Sequence, residues 1–471
     1  MKKINLLLMG CLAALGIASF TACQKDNTPS QKEDKTPSEN VNPWEKQQAK
    51  YTVMLYGCGG GDVDHMLEQS LLPMMEAMAV QDSKVRVTVM YSMSKDGSKF
   101  KENGIVLGEA ATTYRYELTT TEMDWDNYKT KYKFKAASEV ELYKASTLQE
   151  YIEWAKKTAP AENYILVPMN HGGGYSVSKD VLTKGIVYDD NHDEKSISAL
   201  SIAEAAKLSK TNFKAILWYG CMMGMLENLT EVAPYCEYQI AAAHVSRVHP
   251  FTVSTLISAI NANPDNFENA LLAYKASFEK AYTESFANVK NDDGKGTHGE
   301  NCDWSAWRSN KLSGINQQVK ALGEYLVNNY KAKEEVINSC TAYTYIYDKT
   351  DYSADLMYYS SLLSTNDPAL GNINNELNTA IANARVFNIS GNNHKLDGKY
   401  VFPEGGTFSL GVSLYSIEDP DFKANKDKYK DTAFDKATGW GKWLEINQIS
   451  IKDSETNPSN YYVPTPWDDN E

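Results

Sequence analysis

Two side chains in this sequence have the types and surroundings that acyl transfer needs. His171 follows the apolar run Tyr164–Met169 and is trailed by Gly172, Gly173 and Gly174. Cys221 follows the apolar run Phe213–Tyr219 and is preceded by Gly220. They stand fifty positions apart, but adjacent parallel strands would bring the two strand ends together, and open α/β sheets bind ligands beyond those ends. A thiolate can attack a carbonyl, an imidazole can protonate the leaving amine, and backbone N–H groups can hold the oxyanion. The glycines would let a substrate backbone come close. The periodicity predicts a helix from Met222 to Val232, which would put Cys221 at a helix start, where partial positive charge acidifies a thiol.

The elements around these residues predict an α/β fold. Tyr51–Tyr56, Lys84–Tyr91, Tyr164–Met169, Phe213–Tyr219 and Tyr238–Ala243 read as strands. Asp62–Ala79, Leu148–Lys157 and Ser198–Ser209 read as helices between them. Near-continuous apolar strands alternating with helices imply a mostly parallel central sheet flanked by helices on both faces. After Pro250 the pattern turns helical at about 266–289, 311–333 and 369–385. A β-rich stretch, Gly406–Tyr415, and a last helix around Gly439–Leu444 follow. The expected division is a core at 51–250 and a C-terminal helical and β-rich region at 251–471 that completes the fold.

The start of the chain carries an address. Lys2 and Lys3 precede an apolar run from Ile4 to Phe20, then Thr21-Ala22-Cys23, which reads as an export signal over residues 1–22. The run is shorter than the ~20 residues of a membrane span. A cysteine directly after the small residue resembles a bacterial lipoprotein signal, which implies cleavage before Cys23 and lipid attachment there. The polar stretch 23–50 reads as a flexible tether. The expected location is the cell envelope, anchored in a membrane and facing the periplasm or the cell surface.

Composition excludes other classes. The 471 residues carry a net charge of −14, which argues against a nucleic-acid partner. Of seven cysteines, Cys58, Cys221, Cys236, Cys302 and Cys340 remain in the mature region, an odd number with no close pair. That is neither a disulfide framework nor a zinc site. Gly57–Gly61 has Asp62 where a dinucleotide loop needs its third glycine, and no G-x-S-x-G occurs, which excludes a serine esterase of that type. Asn291–Gly296 holds carboxylates that could bind calcium, without the full loop pattern; no cofactor or metal is required by the sequence.

Asn170-His171-Gly172 after one strand, and Gly220-Cys221-Met222-Met223-Gly224-Met225-Leu226-Glu227 after the next, resemble the clostripain family of cysteine peptidases, with a caspase-hemoglobinase fold. Tyr51–Tyr56, Leu410–Tyr415 and Thr438–Leu444 resemble its first strand and closing segments. The resemblance covers about residues 51–445. It implies a cysteine endopeptidase acting on peptides or proteins, with His171 and Cys221 as catalytic dyad and the N–H groups of Gly172 and Cys221 around the oxyanion. The family usually places an acid two positions before the cysteine, and this chain has Tyr219. The segment His244–His249 is also basic where acids are expected. A strict preference for Arg or Lys at the cleaved bond therefore lacks its usual partner, unless Asp189 or Asp190 supplies the charge. The competing expectation is a non-catalytic surface lipoprotein that binds protein or glycan on the same fold.

Overall fold

The computed structural model describes residues 49–57, 64–95, 110–119, 140–175, 181–182, 185–244, 249–286, 303–344, 346–348, 353–390, 395–396, 399–400 and 409–449. The readings made on Cys23, the tether before residue 49, Cys58, Gly59–Asp62, residues 245–248, Cys302 and Asn291–Gly296 lie outside them.

Sixteen described strands are numbered in chain order. They are β1 Ala49–Tyr56, β2 Val85–Ser92, β3 Thr113–Leu118, β4 Ala161–Pro168, β5 Val181–Leu182, β6 Ile186–Asp189, β7 Lys195–Ile197 and β8 Phe213–Leu217. The remainder are β9 Cys236–Ala241, β10 Asp303–Arg308, β11 Ile346–Asp348, β12 Ser353–Asp355, β13 Arg385–Ser390, β14 Lys395–Leu396, β15 Lys399–Tyr400 and β16 Gly411–Ser413. Eight of them form one sheet in the order β13-β10-β9-β8-β4-β1-β2-β3. The inner strands β2, β1, β4, β8 and β9 pair in parallel. The outer strands β3, β10 and β13 pair antiparallel.

The parallel centre follows from the strand sequences. Every residue of β2 is buried, as are the last six of β1, because helices cover both faces. Alternation sorts the side chains into two cores. Val53, Leu55, Ile165, Val167, Leu217 and Ile240 pack on one face. Met54, Tyr56, Leu166, Ile216 and Trp218 pack on the other. Each such aliphatic side chain contributes roughly 1.5–3 kcal/mol on burial. The few polar strand residues are satisfied locally: the buried Thr52 hydroxyl donates to the Ala159 carbonyl at 2.7 Å.

The sequence reading misses β3, β10 and β13. All three are flanking strands, and Arg115 and Glu117 in β3, Ser305 and Arg308 in β10, and Arg385 and Asn388 in β13 interrupt the apolar pattern there. Two of them come from the C-terminal half, so residues 303–308 and 385–390 extend the same sheet. In the expected β-rich stretch, only Gly411–Ser413 is strand among the described residues. The long helix Leu312–Ala342 runs past the expected end at 333, but it breaks there: Lys333 has φ −128° and ψ 23°. Its ammonium donates to Asp367 at 2.6 Å and to the Tyr325 hydroxyl at 2.7 Å.

His249 closes the turn before the helix Thr252–Ala262, and its Nδ1 accepts the Phe251 N–H at 3.5 Å. Burial holds its imidazole down at about 3. An unfolded histidine titrates at about 6.5. Between these values the unfolded chain binds a proton that the folded chain does not, so stability falls as pH drops below 6.5. His249→Gln keeps an acceptor and removes the titration. Urea unfolding at pH 7 and pH 5 should show a smaller acid loss for His249→Gln than for wild type; equal losses would contradict a buried neutral imidazole.

Candidate active site

The site is built where β4 and β8 end. These neighbours are in parallel register, Ile165 beside Ala215 and Leu166 beside Ile216. The pairing continues past both strands, with Met169 bridged to Tyr219, the Tyr219 N–H on the Pro168 carbonyl at 3.0 Å and the Asn170 N–H on the Tyr219 carbonyl at 3.3 Å. Both chains therefore leave the sheet at one level, and the next residues are His171 and Cys221.

The two turns then touch through their backbones. A Cβ built on Gly172 would lie 2.0 Å from the Cys221 carbonyl oxygen and 2.8 Å from its nitrogen. A Cβ on Gly220 would lie 2.7 Å from the Asn170 carbonyl oxygen and 3.2 Å from the Gly172 nitrogen. Real Cβ atoms essentially never approach backbone within 3.0 Å, as a side chain at either glycine would. The glycines that the sequence suggested for substrate access are first required by the contact of the two turns.

The cysteine turn differs from the sequence expectation. Met222 is left-handed at φ 55°, and its N–H donates to the His244 carbonyl at 3.1 Å. The Gly224 N–H donates to Ala242 at 2.6 Å. These bonds pin the turn along the extension of β9, and the helix begins only at Leu226. Cys221 thus sits in a tight turn, not at a helix start, and a helix's positive end acts only within its first turn. The helix no longer accounts for an acidic thiol.

Exposure separates the described cysteines. Cys221 is half-buried, while Cys236 and Cys340 are buried. Burial pushes the Cys236 thiol up to about 12 and the Cys340 thiol up to about 11, which leaves both inert as nucleophiles.

His171 is half-buried, its backbone N–H held by the side-chain oxygen of Asn170. The Asn170 amide in turn donates to the Tyr188 carbonyl at 3.4 Å. The Tyr188 ring meets the imidazole edge-on, 6.1 Å between centroids at 83°. Tyr188 lies on β6, which is tied to the histidine loop by the Gly172–Ile186 bridge and by the Gly173 N–H on the Gly185 carbonyl at 2.8 Å. The ladder bond there is made by Gly173 rather than Gly172. Next to Tyr188, Val187 holds φ 61°, a conformation that costs a β-branched residue on the order of 1–3 kcal/mol. Sequence reasoning passed over Asn170 and Tyr188 as contacts of the histidine; the only signal was the aromatic residue in the short run after Gly185.

The pocket candidates are placed as follows. Tyr219 is 1% exposed, packs in the core opposite Trp218, and its hydroxyl donates to the His249 carbonyl. Asp189 is fully buried, and its carboxylate accepts from the Leu142 N–H at 3.0 Å, the Asn191 N–H at 3.2 Å and the His192 Nδ1 at 2.8 Å. Burial pushes its pKa up, with His192 and the two N–H donors opposing. It anchors the turn it opens. Asp190 is half-buried in that turn. Among the described residues, no group of three His, Cys, Asp or Glu side chains could hold a metal ion.

Comparison with known proteins gives this arrangement a context. Residues 56–446 match the model of the clostripain family. Clostripain from Hathewaya histolytica is 24% identical over 249 residues, which is 50% of this chain and 46% of that protein. The chain therefore spans about half the length of that curated relative. A secreted C11 cysteine protease from Bacteroides thetaiotaomicron, solved with an irreversible peptide inhibitor, superposes with a TM-score of 0.59 at 16% identity, over 83% of this chain and 99% of that one. An inactive zymogen C11 protease from Parabacteroides distasonis gives 0.58 at 16%, over 83% and 99%. At these identities the two structures show the fold.

The contact of the turns makes a direct prediction. Gly172→Ala must push the histidine and cysteine turns apart, at a cost of roughly 1–3 kcal/mol. Gly314→Ala is the comparison, since its added Cβ meets only Ala380 at 3.9 Å within a helix and should stabilise slightly. Denaturant unfolding of both variants checks this; an unchanged Gly172→Ala protein would contradict the close approach.

Proposed function

The chain belongs to the clostripain family, matched over residues 56–446, and on that premise we propose that it is an exported cysteine endopeptidase using Cys221 and His171. The observation that carries this reading is the backbone contact between Gly172 and Cys221, which sets the histidine turn against the turn bearing the half-buried thiol.

In the proposed reaction His171 takes the Cys221 thiol proton, the thiolate sulfur forms a bond to the scissile carbonyl carbon, and the carbonyl π electrons move to oxygen until they re-form the carbonyl as the amine leaves. The Gly172 and Cys221 N–H groups lie beside that oxygen. The C–N bond then breaks as His171 protonates the departing amine, leaving a thioester. Water, deprotonated by His171, attacks the thioester, and the acid product leaves as the thiol is restored. The Tyr188 ring packs edge-on against the imidazole, and Asn170 holds the His171 backbone. A non-catalytic binding protein has no need of a half-buried thiol set against a histidine turn.

The proposed address is a membrane-anchored lipoprotein of the cell envelope, held through Cys23 and facing the periplasm or the surface. Its support is the signal-like segment Lys2–Cys23 and the polar stretch after it. Among the described residues no helix is long and apolar enough to cross a membrane. Each buried lipid CH₂ contributes about 0.8 kcal/mol, so several chains hold firmly.

We also propose a pocket without a strict requirement for Arg or Lys. The position two before the cysteine is a phenol already bonded to His249, and Asp189 already accepts three hydrogen bonds away from solvent. Neither offers a carboxylate to a guanidinium, and a closed pocket penalises an unpaired charge.

Three outcomes are expected. Cys221→Ala and His171→Ala each lower kcat/KM on peptides by about three orders of magnitude or more, while Cys236→Ala and Cys340→Ala do not; a well-folded Cys221→Ala protein with substantial activity would remove the dyad. Cys23→Ser moves the protein from membrane to soluble fractions or blocks processing, and wild type found wholly soluble contradicts the anchor. Matched peptides with Arg, Leu, Tyr and Ala before the cleaved bond are cut at comparable rates; cleavage after Arg or Lys alone contradicts the pocket, and Asp190→Asn becomes the next variant.

A further inference from the structure

Glu227 lies in the first turn of the helix Leu226–Val232 and is fully buried. Its Oε1 accepts the Ser413 N–H at 2.8 Å and the Tyr429 hydroxyl at 3.2 Å. Its Oε2 is buried with no hydrogen-bond partner among the described residues. Burial pushes the carboxyl pKa up, with the Ser413 and Tyr429 hydrogen bonds acting against it. A buried carboxyl set among neutral donors and unpaired with a cation is a poor way to stabilise a core; an apolar residue of that size is usually at least as good. Its neighbours point to a different task.

Three segments meet around the start of this helix, and Glu227 bonds directly to one of them, the closing segment. The first is the nucleophile turn, since Met225 and Glu227 follow Cys221 by four and six positions. The second is the closing segment. The Gly411 N–H donates to Gly224 at 2.9 Å, Ser413 binds Glu227, Trp440 Nε1 donates to the Ser413 carbonyl at 2.8 Å, and the Ala433 N–H donates to Glu231 at 2.6 Å. The third is the end of the histidine loop. The Tyr175 ring meets Tyr429 edge-on at 6.2 Å, and its N–H lies 3.1 Å from the Met225 sulfur.

We propose that Glu227 is a positioning residue for the peptidase reaction: by accepting from Ser413 and Tyr429 it clamps the closing segment behind the Cys221 turn and, through Tyr175, behind the His171 loop. The clamp sets the alignment of the two turns and not the pocket, so its loss should act on kcat more than on KM. This rests on the peptidase reading, and the test separates the two.

Wild type and Cys221→Ala first establish the peptidase. Active sites in wild type, Glu227→Ala, Glu227→Gln and Tyr429→Phe are then titrated with an irreversible peptidyl electrophile, and kcat per titrated site is measured well below each melting temperature. Glu227→Ala should lose at least tenfold in kcat with KM within about threefold. Glu227→Gln keeps the acceptor oxygen and should retain at least half of wild-type kcat. Tyr429→Phe removes one donor with little change of shape and should lose severalfold. A merely structural role would lower stability and the fraction titrated but leave kcat per site unchanged, and that result overturns the clamp. So does a Glu227→Gln protein as impaired as Glu227→Ala. If Glu227→Ala does not fold, Tyr429→Phe against Glu227→Gln decides: unchanged kcat per site in Tyr429→Phe overturns the assignment, while wild type remains an active peptidase.

Discussion

The site depends on one steric constraint, the packing of Gly172 against the backbone of Cys221. The atoms are so close that a single methyl group at Gly172 would fall inside the Cys221 carbonyl oxygen. Backbone is the stiffest part of a protein, so this contact fixes the relative height and spacing of the histidine and cysteine turns without relying on long side chains. Side-chain bonds then refine the aim. Asn170 and Tyr188 hold the histidine side. The carbonyls of Ala242 and His244 hold the cysteine side.

The contact exists because the sheet delivers both chains at one level. Parallel register between β4 and β8 carries through Met169 and Tyr219 before the chains diverge. That register is set by apolar alternation, since a one-residue slip would exchange Leu166 and Val167 between two cores. Burial thus determines the chemistry indirectly. The closing segment acts at one remove: Gly411 joins the chain at Gly224, and Glu227 ties β16 and the helix Pro420–Lys430 to the same place.

Much of this could be read from the residues. The five parallel strands were legible because each is a short, continuous apolar run, and the two chemical side chains stood at the ends of two of them. The glycines were legible as special but not for the right reason, because close approach of two backbones fifty positions apart leaves no local signature. The helix after Cys221 was placed early because Met222, Met223 and Met225 favour helix locally; tertiary bonds to Ala242 and His244 override that preference. Strands β3, β10 and β13 escaped because flanking strands carry mixed sequences. The fates of Tyr219 and Asp189 depended on partners at His249, Leu142 and His192, which spacing along the chain does not reveal.

The central claim is that Cys221, beside His171, is the reactive nucleophile of a peptidase. The most direct measurement is peptide mapping by mass spectrometry after brief exposure of the folded protein to a stoichiometric peptidyl electrophile. The account predicts one adduct per chain, on the Cys221 sulfur, formed far more slowly in His171→Ala. Labelling spread over Cys58, Cys302 or the buried Cys236 and Cys340, or an adduct rate indifferent to His171, would contradict it.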